Sequence, residues 1–400
     1  MLNGGFHGGS AAPYRGRRPD KPTQLNSYPT STGLLPTTWL YGRAALYSNT
    51  TGYHNTANGH QALFLNTTGI ANTANGYLAL VSNTTGEYNT AIGVVALDYN
   101  TTGKWNTANG AYALYSIKAN SRSTAIGQGS MLFADDRTNG RETFNTAIGS
   151  YALRGSGTAT NNTGRCNTAI GDEALFSNTT GNYNTAIGVL ALYANTTGNW
   201  NTAAGHNAYF TANNLNNTTC IGQNSGGITN ASNYIEIGNT SVTWIGWQPL
   251  WSTYSDARIK TQVQENVPGL AFITKLRPVT YHLDIHQQNA MTLRGKEDSP
   301  DYPEKYDIEK KQMTGFIAQE VEAAARAVGY DFSGVEKGAD EVGMYSLRYA
   351  AFVVPLVKGM QEQQAVIEQQ QAEIERLKQL ETQLQKITAA LQSAGILIEH

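Results

Sequence analysis

The chain has 400 residues, a length at which one hydrophobic core usually gives way to several structural units. Its formal net charge of −2 gives no long-range field to draw in nucleic acid or an anionic membrane surface, so neither partner is expected. Charged residues make up 14% of the chain against a usual quarter, and the only two cysteines, Cys166 and Cys220, lack Cys or His neighbours at metal spacing. That excludes a disulfide framework and a zinc finger; both thiols read as small buried hydrophobes, and no metal or cofactor is expected.

Residues 1–37 are rich in Gly, Pro, Arg and Ser, which fits an attachment arm that is flexible or ordered by a partner. Met1 to His7 has no apolar core of signal-peptide length, and no run of ~18 apolar residues occurs anywhere, so neither a leader nor a membrane span is expected.

From 38 to 254 the sequence repeats. Asn-Thr-Ala-x-Gly starts at Asn55, Asn72, Asn89 and Asn106, each 17 residues after the last, and Ser123 keeps that step. Two steps of 22 lead to Asn145 and Asn167, then Asn184 and Asn201 return to 17, and Thr218 begins a degenerate copy. Asn-Thr-Thr-Gly recurs in register between them, as at Asn66 and Asn83, and so does an Ala-Leu pair, as at Ala96-Leu97. A short fixed period means a solenoid whose rungs gain a core only by stacking. One rung suits two strands of about five residues and two tight turns. The fold class is therefore mainly β, a β-roll or β-helix, with the longer steps carrying five-residue insertions as surface loops. Asn-Thr-Thr-Gly offers residues that tolerate left-handed backbone, and asparagines at one register predict amide ladders between rungs. So thin a rung encloses little core, so the Ala-Leu stripe is expected to face other chains in a parallel homotrimer.

Two further features of the array bear on function. An aromatic residue often precedes Asn-Thr, at Tyr88, Trp105, Phe144, Tyr183 and Trp200, forming one column. Such a column either stacks on sugar rings of a host-surface glycan or packs between rungs and subunits. Acidic residues are few. Asp135, Asp136 and Glu142 in an insertion, with Asp172-Glu173 in a rung, leave open either a glycoside-hydrolysing carboxylate pair or plain surface charge. Trp244, Trp247 and Trp251 are expected to cap the array. Through Asn-Thr-Ala-Ile-Gly-x-x-Ala-Leu, the repeats resemble the head repeats of trimeric surface adhesins and the stalk repeats of phage tail fibres.

At Ser255 the composition becomes that of an ordinary globular domain. Ser255-Asp256-Ala257-Arg258-Ile259-Lys260 sets a hydroxyl and an amine five positions apart. Taken alone, this hexapeptide reads either as a helix N-cap beside a solvated basic face or as a nucleophile with its base. Leu276-Arg277-Pro278-Val279 to Tyr281 reads as a strand, and Gly315 to Val328 as a strand end passing into a helix; the polar stretch 287–312 reads as a loop. Leu356, Met360, Gln363, Ile367, Gln370, Ile374 and Leu377 step by four and three, which predicts a coiled coil over 353–400 rather than a lone amphipathic helix. Leu380, Leu384, Ile387 and Leu391 continue the seam after a stammer.

Ser255 to Lys260, Leu276 to Tyr281, Gly315 to Val321 and Tyr345-Ser346-Leu347, in that order before a long helix, resemble the intramolecular chaperone of endosialidase-type phage tail spikes. The resemblance implies a small α+β domain over 255–352, trimerisation, and self-cleavage between Tyr254 and Ser255. It implies Ser255 as nucleophile and Lys260 as base, with Asp256 and Arg258 orienting or tuning them. On this reading the chain is a tail fibre in the virion, joined to a tail or baseplate protein by its arm; a bacterial surface adhesin and a polysaccharide-degrading spike are the alternatives.

Overall fold

The computed structural model describes residues 38–208, 214–226, 232–243, 245, 253–293, 305–337 and 344–394. The arm at 1–37 and the expected cap of Trp244, Trp247 and Trp251 lie outside the described residues.

A solenoid of about 11 turns fills the first half of the chain. Twelve three-residue strands, β1 (Trp39–Tyr41) to β12 (Ile235–Ile237), stack in chain order as one parallel sheet. In β4 (Thr90–Ile92), Ala91 pairs with Ala74 of the rung before and Ala108 of the rung after. Thr is half-buried, Ala fully buried and Ile exposed, so this strand, like β2, β3 and β5 to β10, turns a single small methyl inward.

Each described rung carries one short strand where two of about five residues were expected. The reason lies in backbone geometry. Three non-glycine residues per rung adopt left-handed backbone, for example Tyr88 (φ 56°), Val95 (φ 52°) and Leu97 (φ 54°). Each costs roughly 1–2 kcal/mol, and each bends the chain more sharply than extended backbone allows. Bonds between rungs offset the cost: Tyr88 N donates to Ile70 O at 3.0 Å, Val95 N to Tyr77 O at 2.9 Å and Leu97 N to Ala113 O at 3.0 Å. The glycines follow a different rule from the one expected. Gly93 of Asn-Thr-Ala-Ile-Gly is left-handed (φ 130°), and a Cβ there would lie 2.6 Å from Gly110 backbone. Gly86 of Asn-Thr-Thr-Gly is not left-handed; it is needed because a Cβ would strike the Asn83 side-chain oxygen.

These tight corners close the interior within one chain. Ala96 and Leu97, like the same pair in most rungs, are fully buried in a continuous core, so the Ala-Leu stripe does not face other chains. Cys220 takes the inward alanine position and is buried, whereas Cys166 lies half-buried in the aromatic column. The outward apolar column is instead the isoleucine of Asn-Thr-Ala-Ile-Gly, exposed at Ile92, Ile126, Ile148, Ile170, Ile187 and Ile221.

Two asparagine ladders run along the core, as the register predicts. Asn83 Nδ2 donates to Asn66 Oδ1 at 2.7 Å, and Asn100 Nδ2 to Asn83 Oδ1 at 2.8 Å. In the second, Asn89 Oδ1 accepts from Asn106 N at 3.0 Å while Asn89 Nδ2 donates to Gly103 O at 2.8 Å. All of these side chains are fully buried, so each amide satisfies a neighbour that water cannot reach.

After the junction lies a small α+β region. Helix α1 (Leu270–Ile273) is followed by β13 (Val279–Tyr281), which pairs antiparallel with β14 (Met313–Gly315). Between them the stretch read as a loop carries α2 (Ile285–Leu293) and a short 3-10 turn at Asp307–Lys310. Helix α3 (Ala318–Arg326) precedes a second hairpin, β15 (Val335–Lys337) with β16 (Tyr345–Leu347). Phe272, Val321, Phe332 and Phe352 form its core, with the Phe332 and Phe352 rings 4.8 Å apart. Helix α4 (Val353–Ser393) then runs for 41 residues. Its first turns pack on α1, where Leu270 N donates to Glu362 Oε2 at 2.7 Å. Beyond that, the heptad residues Ile367, Ile374, Leu377, Leu380 and Leu384 are exposed.

Candidate functional site

The Ser255–Lys260 hexapeptide folds on itself. Asp256 caps a single 3-10 turn, Ala257–Ile259, by accepting from Arg258 N at 2.8 Å. The turn shortens the path, and Lys260 reaches back so that Nζ donates to Ser255 Oγ at 2.7 Å. Hydroxyl and amine therefore meet with no other element required.

Asp256 and Arg258 form a pair of their own. The guanidinium grips the carboxylate at 2.6 and 3.0 Å, which holds the Asp256 carboxyl below the usual range and pushes the Arg258 guanidinium up. Asp256 thus orients the turn and Arg258, and accepts from neither Ser255 nor Lys260. Its charge also neutralises Arg258, which contacts neither Ser255 nor Lys260 among the described bonds. Tyr254, just before Ser255, is 94% exposed, and Ser255 and Lys260 are exposed too. In a single chain the pair stands in water.

The aromatic column stacks ring on ring. Tyr88 and Trp105 are parallel within 5° at 6.2 Å, and Tyr183 and Trp200 repeat the same geometry. Arg122 continues the first stack, 4.9 Å above Trp105 and 5.7 Å from Phe144. The rings are about half exposed, with one face turned along the fibre to a neighbour. A second column was missed. Tyr47 stacks on Phe64 at 5.2 Å, Phe176 on Tyr193 at 5.0 Å, and Arg154 lies between Phe133 and Phe176 at 4.9 and 4.8 Å. The same 17-residue step that aligns the first column separates Tyr47 from Phe64 and Phe176 from Tyr193.

The acids of the insertion are each engaged by a cation. Asp135 is buried and held by Arg137 at 2.7 Å and Arg141 at 3.1 Å, Asp136 meets Lys118 at 3.3 Å, and Glu142 meets Arg122 at 2.6 Å. Burial pushes the Asp135 carboxyl up, but the Arg137 bonds outweigh it and hold the carboxyl low. None of these acids is set out as a free carboxylate pair. Asp284, His286 and Glu309 bring three ligand atoms within 4.8 Å of one another. Two of them already cap α2: Glu309 Oε1 accepts from Ile285 N at 2.7 Å, and Asp284 Oδ1 from Gln287 N at 2.7 Å.

The family model described as Chaperone of endosialidase matches residues 255–330, beginning at the serine that Lys260 contacts. No curated protein and no solved structure matches the chain. A β-solenoid followed by this chaperone domain fits a tail-fibre or tail-spike type of protein.

Proposed function

We propose that the chain is the trimeric fibre subunit of a phage tail or phage-like particle, whose C-terminal region registers three copies and is then released by self-cleavage between Tyr254 and Ser255. The 2.7 Å contact from Lys260 Nζ to Ser255 Oγ at the first matched residue carries this reading. The arm at 1–37 would join the tail or baseplate, and the shaft would meet a host-surface glycan or protein.

In the cut, the Ser255 oxygen adds to the Tyr254 carbonyl carbon while Lys260, as free amine, takes the hydroxyl proton. The bond to the Ser255 nitrogen breaks, the lysine returns the proton to that nitrogen, and Tyr254 remains as an ester on the Ser255 oxygen. Water hydrolyses the ester, leaving a Tyr254 carboxylate and a Ser255 amino terminus. Water favours the ammonium form of an exposed lysine, and burial favours the free amine. Assembly of three chains around the exposed junction supplies that burial, so cutting follows trimer formation.

Two apolar surfaces support the trimer: the isoleucine column of the shaft and the bare heptad seam of α4. Denaturing gels of the assembled protein are expected to show two fragments, one starting at Ser255, and Lys260→Ala and Ser255→Ala are expected to remain whole. An uncut wild-type chain in a trimer overturns the cleavage. Sedimentation as a monomer overturns the assembly.

A further inference from the structure

Asp98 differs from the acids around it. Glu87 pairs with Lys104 at 3.1 Å, and Asp135, Asp136 and Glu142 each have a cation, but the Asp98 carboxylate has neither a cation nor a hydrogen bond among the described residues. It is half-buried, at the position that Val81 fills one rung earlier and Tyr115 one rung later. Burial pushes its carboxyl up to about 6, the direction expected for a charge removed from water without a partner.

Aromatic residues adjoin it. Tyr99 follows it in sequence, Tyr115 lies one rung on in its own column and within reach of its charge, and Tyr112 packs on Tyr115. The Tyr99 and Tyr115 rings stand at 85° with centroids 5.0 Å apart, and Tyr112 and Tyr115 at 59° and 5.7 Å. Tyr99 and Tyr112 are each 45% exposed, so the group is open to a ligand. The bond to Tyr99, then burial, pushes the Tyr115 hydroxyl up to about 12, so that it stays neutral at ordinary pH.

We propose that Asp98, Tyr99, Tyr112 and Tyr115 form a binding site for a small organic cation of the alkylammonium class. A partly desolvated carboxylate without a counter-ion gains most from a cation, and ring faces attract weakly hydrated alkylammonium better than strongly hydrated metal ions. A sugar would meet the tyrosines equally well but would leave the missing charge unmet. The site lies on the shaft and stands whether or not the chain cuts itself.

Titration of the full-length assembled protein with tetramethylammonium and with choline, followed by calorimetry or ligand NMR, tests this, with glucose as the neutral comparison. Saturable binding of both cations and none of glucose is expected. Asp98→Asn should weaken binding on the order of tenfold, and Tyr112→Ala by several-fold. Binding should weaken as pH falls through about 6, because the proton then occupies the carboxylate, and Asp98→Asn should abolish that pH dependence. Asp98→Asn is also expected to melt no lower than wild type, since it removes an unpaired, partly buried charge. Absence of cation binding, equal binding of glucose, or unchanged affinity and pH profile in Asp98→Asn overturns the site.

Discussion

The solenoid and the region after Ser255 solve the same problem in opposite ways. Within the solenoid each rung hands its backbone and amide bonds to the next, and Ala and Leu close a core inside one chain. The C-terminal region has a small aromatic core, a long helix with its seam bare, and a serine–lysine contact in solvent. The first is stable by repetition, the second incomplete by itself. Repeat units of this kind can pair in shifted registers, because every rung offers the next one nearly the same surface. Heptads with two seam glutamines, Gln363 and Gln370, cannot slip so freely, which suits the C-terminal region to setting register for the shaft.

The largest effect should therefore come from removing the C-terminal region before folding. A chain ending at Tyr254 is expected to yield little or no assembled shaft, while a shaft freed by cleavage after assembly is expected to persist and to unfold slowly and irreversibly. Comparing the two by heat-resistant trimer on gels checks this. A truncated chain that assembles as well as wild type would remove the template role.

Leucines in the two regions should respond differently. Leu97→Ala opens a cavity in a fully buried column and should cost about 2–5 kcal/mol of shaft stability. Leu377→Ala alters a side chain that is 54% exposed in one chain, so it should leave the shaft's melting unchanged and weaken trimer association. Sedimentation at falling concentration, with melting of the cleaved shaft, separates the two outcomes.

How much of this was legible in the sequence depended on whether one residue's register was enough. Asn66, Asn83 and Asn100 ladder as predicted, because a fixed step and a polar side chain leave little choice. Ser255 and Lys260 meet because five residues with a capping aspartate make one turn. The Ala-Leu orientation was misread, since nothing in the residue types announces that Tyr88, Val95 and Leu97 take left-handed backbone and narrow the rung. Helix α2 was missed because its residues show almost no apolar face, and its caps come from Asp284 and from the distant Glu309. Asp98 has no motif; its meaning arises from Tyr115 standing one rung away.

The ladder itself makes the next prediction. Asn89→Ala leaves Asn106 N without its partner in a fully buried place and leaves Gly103 O with Asn100 Nδ2 as its remaining donor, and should cost roughly 1–3 kcal/mol at one rung. Asn182→Ala removes the bond its amide donates to Asn199 Oδ1 and the one it accepts from Arg165 N, in a half-buried ladder where water can replace them, and should cost under about 1 kcal/mol. Equal losses in thermal melting would show that burial does not set the value of these amides.

The smallest effect is the one that decides what the aromatic columns are for. Trp105 has Tyr88 on one face and Arg122 on the other, so Trp105→Ala removes a ring stack and a cation–π contact at a half-exposed site, about 1–2 kcal/mol together. Trp200 has Tyr183 on one face and is 60% exposed, so its loss should cost less. If the columns only brace rungs, the two variants should differ in melting in that order, with glycan-array binding unchanged. If they also hold sugar, Trp200→Ala should lose the more binding while losing the less stability, because Trp200 is the more exposed ring, 60% against 48% for Trp105. Stability and binding then rank the same two residues in opposite order, an outcome that bracing alone cannot produce.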